Sequence, residues 1–256
     1  MDEHIRISHD GPITWITLDR PSAMNAITPD MHRQLDRIFD EFSADPNQHI
    51  AVVTGAGEKA FCAGSDLKSG LGVEYPKSGY AGIGNRFDLN KPVIAMVNGA
   101  ALGGGFELAL ACDLIIASST ATFGLPEPLI GAVALGGGLH RLPRQIGLKP
   151  AMDMILTSQS VSAERGRDLG FVNEVVPLEN LKETTQAYCE LILKGAPGAI
   201  TASKAIINRS LNEPDLETAI AHQDDYPEFQ NWKSSEDAME GINAFIEKRE
   251  PIWKGC

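Results

Sequence analysis

Four short apolar runs, each rich in β-branched residues and each closed by a turn residue, limit the architectures open to this chain: "PITWITLDRP", "HIAVVTGAG", "PVIAMVNG" and "DLIIAS". Runs of this kind read as strands with little room for a polar face. After the first comes "TPDMHRQLDRIFDEF", in which Thr28 is placed to cap a helix and Pro29 takes its first position. Met31, Leu35, Ile38 and Phe42 then fall on one face. Between the last two runs lies a glycine-led helical stretch, "NGAALGGGFELALACD", residues 98 to 113. Strands alternating with helices predict the α/β class.

From about Leu178 the pattern changes to helical periodicity with no convincing strand. "LENLKETTQAYCELILKGA", "AITASKAIINRSL" and "SSEDAMEGINAFIEKRE" are three expected helices, and Ser234 and Asp237 have the spacing of a capping box for the last. The division expected is a core over residues 1–195 and a helical region over 196–256. Residues 69 to 87, "SGLGVEYPKSGYAGIGNRF", have no clear period and read as a flexible loop or irregular helix. At 256 residues and 43% hydrophobic, the chain can bury a large core.

A net charge of -12 argues against a general nucleic-acid surface, while leaving room for a local basic pocket around a phosphorylated ligand. Cys62, Cys112, Cys189 and Cys256 are widely spaced without a C-x-x-C pair, which suggests reduced, buried thiols and neither a disulfide framework nor a zinc site. The opening "MDEHIRISHDG" lacks the basic and apolar regions of a secretory leader, and no apolar run reaches the roughly 18 residues of a membrane span. The expected compartment is the cytoplasm, with no membrane partner.

Gly103, Gly104 and Gly105 stand immediately before "FELALA". Three glycines cost conformational entropy and supply no side-chain packing, so their presence suggests a close approach to the main chain. At a helix start the first amides lack intrahelical partners. "FCAGSDLK" offers a second small-residue bend, Ala63-Gly64-Ser65, with Asp66 and Leu67 starting a further helix. Two such amides, if they converge, make an oxyanion hole; either turn alone can equally be structural. Glu107 and Glu127 each sit among apolar neighbours, in "FELALA" and "TFGLPEPLIG". A lone glutamate in such a place is usually salt-bridged or at a helix end, but two of them fit a general acid/base pair. Gly55, Gly57 and Ala60 mimic a dinucleotide fingerprint, yet no helix opens there and a turn is the better reading.

"LDRPSAMNAI", "AFCAGSDLK", "KPVIAMVNGAALGGGFELALACD" and "FGLPEPLIG" resemble successive signatures of the crotonase, or enoyl-CoA hydratase/isomerase, superfamily. "RLPRQIG", "GFVNEVV" and "EDAMEGINAFIEKREPIWKG" are similar to its later segments in the same order, so the resemblance spans nearly the whole chain. It implies a crotonase-like spiral of ββα units with a C-terminal helical trimerisation region, in a homotrimer or a hexamer of paired trimers. It also implies an acyl-CoA substrate, with no cofactor beyond the coenzyme A that the substrate carries, and no metal.

Carried over residue by residue, the resemblance makes the Ser65 and Gly104 amides the oxyanion hole for a thioester carbonyl. Glu107 and Glu127 match the two hydratase glutamates, one taking a proton from water while Glu127, the favoured donor, delivers one to C2. Substrate contacts are expected from Arg20, Ala23, Ala63, Asp66, Leu67, Lys68, Leu135, Phe245 and Lys248. His140 and His222 are expected to be structural, and Asp113 to pair within the fold. Ser65 stands where alanine is more usual, and Ala134 where proline is frequent. Phe106, Leu125 and the tail "EKREPIWKG" resemble the carnitinyl-CoA dehydratase branch as much as the short-chain hydratases. Other readings are a double-bond isomerase using Glu127 alone, a hydrolase of acyl-CoA or β-diketones, and a non-catalytic CoA-binding scaffold.

Overall fold

The computed structural model describes residues 4–69 and 75–255. Residues 70–74 of the glycine-rich stretch and Cys256, both subjects of expectations above, lie outside the described residues. In chain order the strands are β1 (Ile5–Asp10), β2 (Ile13–Leu18), β3 (Ile50–Gly55), β4 (Ala60–Cys62), β5 (Val93–Val97), β6 (Ala100–Leu102), β7 (Leu114–Ser118), β8 (Thr122–Gly124), β9 (Val161–Ser162) and β10 (Glu174–Val176). The helices are α1 (Pro29–Ala44), α2 (Gly104–Ala111), α3 (Gly138–Ile146), α4 (Leu148–Thr157), α5 (Ala163–Leu169), α6 (Leu181–Leu193), α7 (Pro197–Ser210), α8 (Leu216–His222), α9 (Pro227–Lys233) and α10 (Asp237–Glu247).

Two compact units divide the chain, one of residues 1–86 and 93–186, the other of residues 87–92 and 187–256. The first unit holds both sheets. Six strands run in the order β1-β2-β3-β5-β7-β10, with β1 antiparallel to β2 and every other pairing parallel. All four apolar runs lie in it, and β3 and β5 are buried at every residue, as strands covered on both faces must be. A second sheet runs β4-β6-β8-β9. Each of β3, β5 and β7 is followed within a few residues by a short strand of this second sheet, so the chain steps from one sheet to the other three times. Three-residue strands carry too little periodicity to be read from sequence, and β4, β6 and β8 were not foreseen.

Thr28 caps α1 by accepting the Met31 N–H at 3.2 Å, and Met31, Leu35, Ile38 and Phe42 are buried as expected. His32 and Phe39 join them on the same face. The glycine-rich stretch differs from its expectation where it is described. Ser78 and Tyr80 to Ile83 are buried, forming a 3-10 turn, because the Ala81 N–H donates to His32 Nδ1 at 2.9 Å and Gly82 packs directly on the α1 backbone. Burial, with the neighbouring Arg33 charge adding to it, pulls His32 down to about 4, so its ring stays neutral and able to accept.

The second unit is helical. Lys204 Nζ donates to Lys91 O at 2.9 Å, and Asn90 Nδ2 donates to Glu228 Oε1 at 2.9 Å, so residues 87–92 are tied to α7 and α9. The capping box expected for α10 does not form: Ser234 Oγ donates back to Gln230 O, and the Asp237 carboxylate instead accepts the Lys254 and Gly255 amides at 2.8 Å each. A local carboxylate can satisfy whichever unpaired amides reach it, and here the returning tail reaches it first. No helix among the described residues is long and apolar enough to cross a membrane.

Candidate active site

Asn25 organises the first wall of the site. It is fully buried in the left-handed region at φ 55, where its short amide is tolerated better than most side chains. Its oxygen accepts the Arg20 N–H at 3.0 Å, while its Nδ2 donates to Ala56 O at 3.0 Å and Ala60 O at 2.8 Å. The motif "LDRPSAMNAI" is thereby clamped to the turn between β3 and β4. A side chain on Gly55 would strike Asn25 and the Ala60 and Phe61 carbonyls, so this glycine serves close packing, in keeping with the turn reading of "TGAG".

Residues 24 to 27 then shape the bend after β4. The Ala63 N–H donates to Met24 O at 3.0 Å, Ile27 donates to Gly64 O at 2.8 Å, and Asp66 donates to Ile27 O at 2.9 Å. Ile27 thus engages both neighbours of Ser65, which turns the Ser65 N–H to the opposite side of the bend. Gly64 has φ +93, and a Cβ on it would stand 3.1 Å from the Gly104 nitrogen. The bend and the start of α2 are therefore in direct contact. Neither the Ser65 nor the Gly104 amide takes a hydrogen-bond partner among the described residues. The expected helix at Asp66 is only a 3-10 turn, Leu67–Ser69.

On the other side, the Gly103 N–H donates to Gly124 O at 2.9 Å, joining the start of α2 to the end of β8, from which Pro126 and Pro128 lead the chain around Glu127. Glu127 Oε1 lies 3.0 Å from where a Cβ on Gly103 would stand. Its Oε2 is buried with no hydrogen-bond partner among the described residues. Glu107, one turn into α2 and 3% exposed, accepts the Gly138 N–H on Oε1 at 2.8 Å, and its Oε2 is 2.7 Å from where a Gly136 Cβ would be. Burial raises Glu107 to about 7, with the nearby Glu127 charge adding to the rise and the Gly138 N–H opposing it. Burial also raises Glu127. Beneath them Phe106, Phe123 and Phe171 pack with ring centres 5.1 to 5.4 Å apart.

Ser65, Gly104, Glu107 and Glu127 are thus gathered at the start of α2. Arg20 and Asp66 also meet, at 2.8 Å, with Arg20 Nη1 donating to Ala26 O, and the guanidinium holds the Asp66 carboxyl below its ordinary range. Their charges serve the bend itself. Ala23 and Ala63 are half-buried beside it, and Leu67 and Lys68 are exposed just after it. Leu135 is 77% exposed, next to Gly136. Phe245, 86% exposed, and Lys248, at the end of α10, belong to the second unit. Asp113 accepts the Val93 N–H at 2.7 Å, a pairing within the fold. Cys62, Cys112 and Cys189 are buried and in no disulfide, and burial pushes the Cys62 and Cys189 thiols up to about 12.

Besides Asn25, a second residue at the site was not foreseen. Tyr80, 3% exposed, fills the space over Gly104: a Cβ there would overlap the Tyr80 hydroxyl and Cζ. The glycine is required first by this ring, a reason that no reading of the stretch around Gly104 alone could supply. The tyrosine in "SGYAGIG" was the available signal.

The family model described as Enoyl-CoA hydratase/isomerase matches residues 9–256. A carnitinyl-CoA dehydratase from Salmonella heidelberg (strain SL476) is 42% identical over 265 residues, covering 100% of both chains. The crystal structure of an enoyl-CoA hydratase from Mycobacterium tuberculosis H37Rv superposes with a TM-score of 0.93 at 38% identity, covering 100% of both chains. An enoyl-CoA hydratase structure from Bacillus anthracis gives 0.90 at 34% identity, covering 99% of this chain and 100% of the other.

Proposed function

The chain belongs to the enoyl-CoA hydratase/isomerase family and has its crotonase fold, and from that premise we propose that it reversibly hydrates a 2-enoyl-CoA thioester to the 3-hydroxyacyl-CoA. The observation that carries this reading is the meeting of buried Glu107 and half-buried Glu127 at the start of α2, where the Gly64 bend touches the Gly104 nitrogen.

In the hydration direction, water attacks C3 of the enoyl group and the π electrons move toward the thioester carbonyl. Negative charge develops on that oxygen, to which the Ser65 and Gly104 amides donate; a donor of this kind is worth about 2.7–4 kcal/mol in the transition state. Glu107 and Glu127 hold the water between them. One takes its proton as the C3–O bond forms, and the other, for which Glu127 is our assignment, places a proton on C2. The sum is addition of OH at C3 and H at C2, and dehydration is the same path reversed. A Glu107 raised to about 7 is suited to this exchange, since it can both accept and donate near neutral pH.

Coenzyme A enters only as part of the substrate, and its phosphates and adenine are assigned to the surface around Ala23 and Lys68; Phe245 and Lys248 of α10 are proposed contacts on the family resemblance alone. Trimers, alone or paired, are the proposed assembly and the cytoplasm the proposed compartment. Because a relative 42% identical is a carnitinyl-CoA dehydratase, carnitinyl-CoA belongs in the substrate panel beside the straight-chain thioesters. The test is to mix the protein with crotonyl-CoA and longer enoyl-CoAs and follow loss of enoyl-thioester absorbance, and to run 3-hydroxyacyl-CoAs, including carnitinyl-CoA, in reverse. Turnover of at least one is expected. No turnover in either direction on any of them would refute the reading.

A further inference from the structure

Tyr80 has no place in the mechanism above, yet it stands at the centre of the site. Its hydroxyl lies against the Gly104 α-carbon, its β-carbon is 3.0 Å from the point where a Gly136 Cβ would stand, and Glu107 Oε2 is 2.7 Å from that same point. The ring is locked edge-on against His32 at 4.7 Å and Tyr75 at 5.5 Å between ring centres. A buried phenol ordinarily uses its O–H in a bond of about 2.7–2.8 Å. Here the only hydrogen-bond partner of the hydroxyl among the described residues is Ser65 Oγ, at 3.5 Å.

We propose that the Tyr80 hydroxyl is a third hydrogen-bond donor to the thioester oxygen, completing the pair of amides at Ser65 and Gly104. The proposal rests on the assignment of those amides to the thioester oxygen. A donor pinned to the Gly104 α-carbon reaches the same atom as the Gly104 N–H, one bond away. Burial first, with the neighbouring Cys62 and Glu107 adding to it, drives the phenol well above its ordinary range, so Tyr80 keeps its proton and donates at every working pH. It is neither a base nor a proton source for C2. With three donors, the site favours an oxygen that gains charge over one that does not.

Tyr80→Phe removes one oxygen and leaves the ring packed on His32. The expected loss is about 10- to 100-fold in kcat with little change in KM, at an unaltered melting temperature. A second readout does not depend on hydration: bound acetoacetyl-CoA, a β-ketoacyl thioester, releases its acidic C2 proton to solvent and the enolate left behind is stabilised by oxyanion donors, so the near-ultraviolet enolate band of Y80F should be weaker than that of the parent. Replacing Tyr80 with 3-fluorotyrosine, a stronger donor of nearly the same shape, should restore or strengthen the band. If the parent turns over no enoyl-CoA but loses its enolate band in Y80F, the hydration reading fails and this inference stands. If Y80F keeps kcat within about two-fold and the same enolate band, Tyr80 is a packing residue and the inference is overturned.

Discussion

The Gly138 amide donates to Glu107 Oε1 at 2.8 Å, across thirty-one residues of chain. One oxygen of a buried acid is thereby fixed by the first residue of α3, leaving Oε2 to face Gly136. The bond favours the ionised acid, while burial and Glu127 favour the protonated one, and the outcome is a group poised near 7.

This poise makes folding stability depend on pH in a defined direction. Glu107 is raised from 4.5 in the unfolded chain to about 7 when folded, so between those values the folded state holds more protons. Stability is therefore fully present below about pH 4.5 and is lost as pH rises through 7, by up to roughly 3 kcal/mol from this group alone. Glu107→Gln cannot ionise. Its urea midpoints at pH 5 and pH 8 should differ less than those of the parent, and hydration should fall about 100-fold or more. A variant whose pH dependence of stability matches the parent would show that Glu107 does not titrate in this window.

Glu127→Gln removes the charge that adds to the rise of Glu107. The midpoint of Glu107, followed by carbon NMR of labelled glutamate, should move down from about 7, and hydration should again fall about 100-fold or more. The parent is expected to show two carboxyl steps raised by burial and the variant one. Double-bond isomerisation that survives Glu107→Ala but not Glu127→Gln would identify the one-acid chemistry instead.

How far this site was legible in sequence depends on the range over which each part is specified. Thr28-Pro29 and the face of Met31, Leu35, Ile38 and Phe42 are local, and the structure repeats them residue for residue. The paired glutamates and glycine bends were visible because carboxylates in apolar runs are rare and each bend carries its own small residues. What escaped was specified between segments. Tyr80 is chosen by the space over Gly104, and Asn25 by carbonyls more than thirty residues away. Ser234 and Asp237 had the right spacing for a cap, but the tail at Lys254 and Gly255 took the carboxylate.

Asn25→Ala tests that inter-segment clamp. The change strands the part-buried Arg20 N–H and the buried Ala56 carbonyl, while the Ala60 carbonyl keeps Asn98 Nδ2 at 3.2 Å, and each unpaired group costs about 1–3 kcal/mol, with some relief from relaxation. A loss of about 3 kcal/mol or more in urea unfolding is expected. Asn25→Asp keeps the acceptor for Arg20 and loses both donors, so it should fall between parent and alanine variant unless its charge, buried beside two carbonyls, makes it worse. A cost below about 1 kcal/mol for Asn25→Ala would mean that other contacts hold the bend.

Gly64→Ala separates strain from chemistry. At φ +93 any side chain is strained by about 1–3 kcal/mol, and a Cβ 3.1 Å from both the Gly104 nitrogen and Leu102 O must push one of them aside. Strain alone predicts a melting temperature lower by about 2–4 °C per kcal/mol and an unchanged rate in the surviving folded protein. Displacement of the Gly104 amide predicts in addition a fall of about 100-fold or more in kcat, since the donor no longer meets the developing oxyanion. The contact between the bend and α2 makes the second outcome the expected one. A folded Gly64→Ala protein with the parent's kcat would show that Leu102 O yields instead and that the Gly104 amide is not displaced.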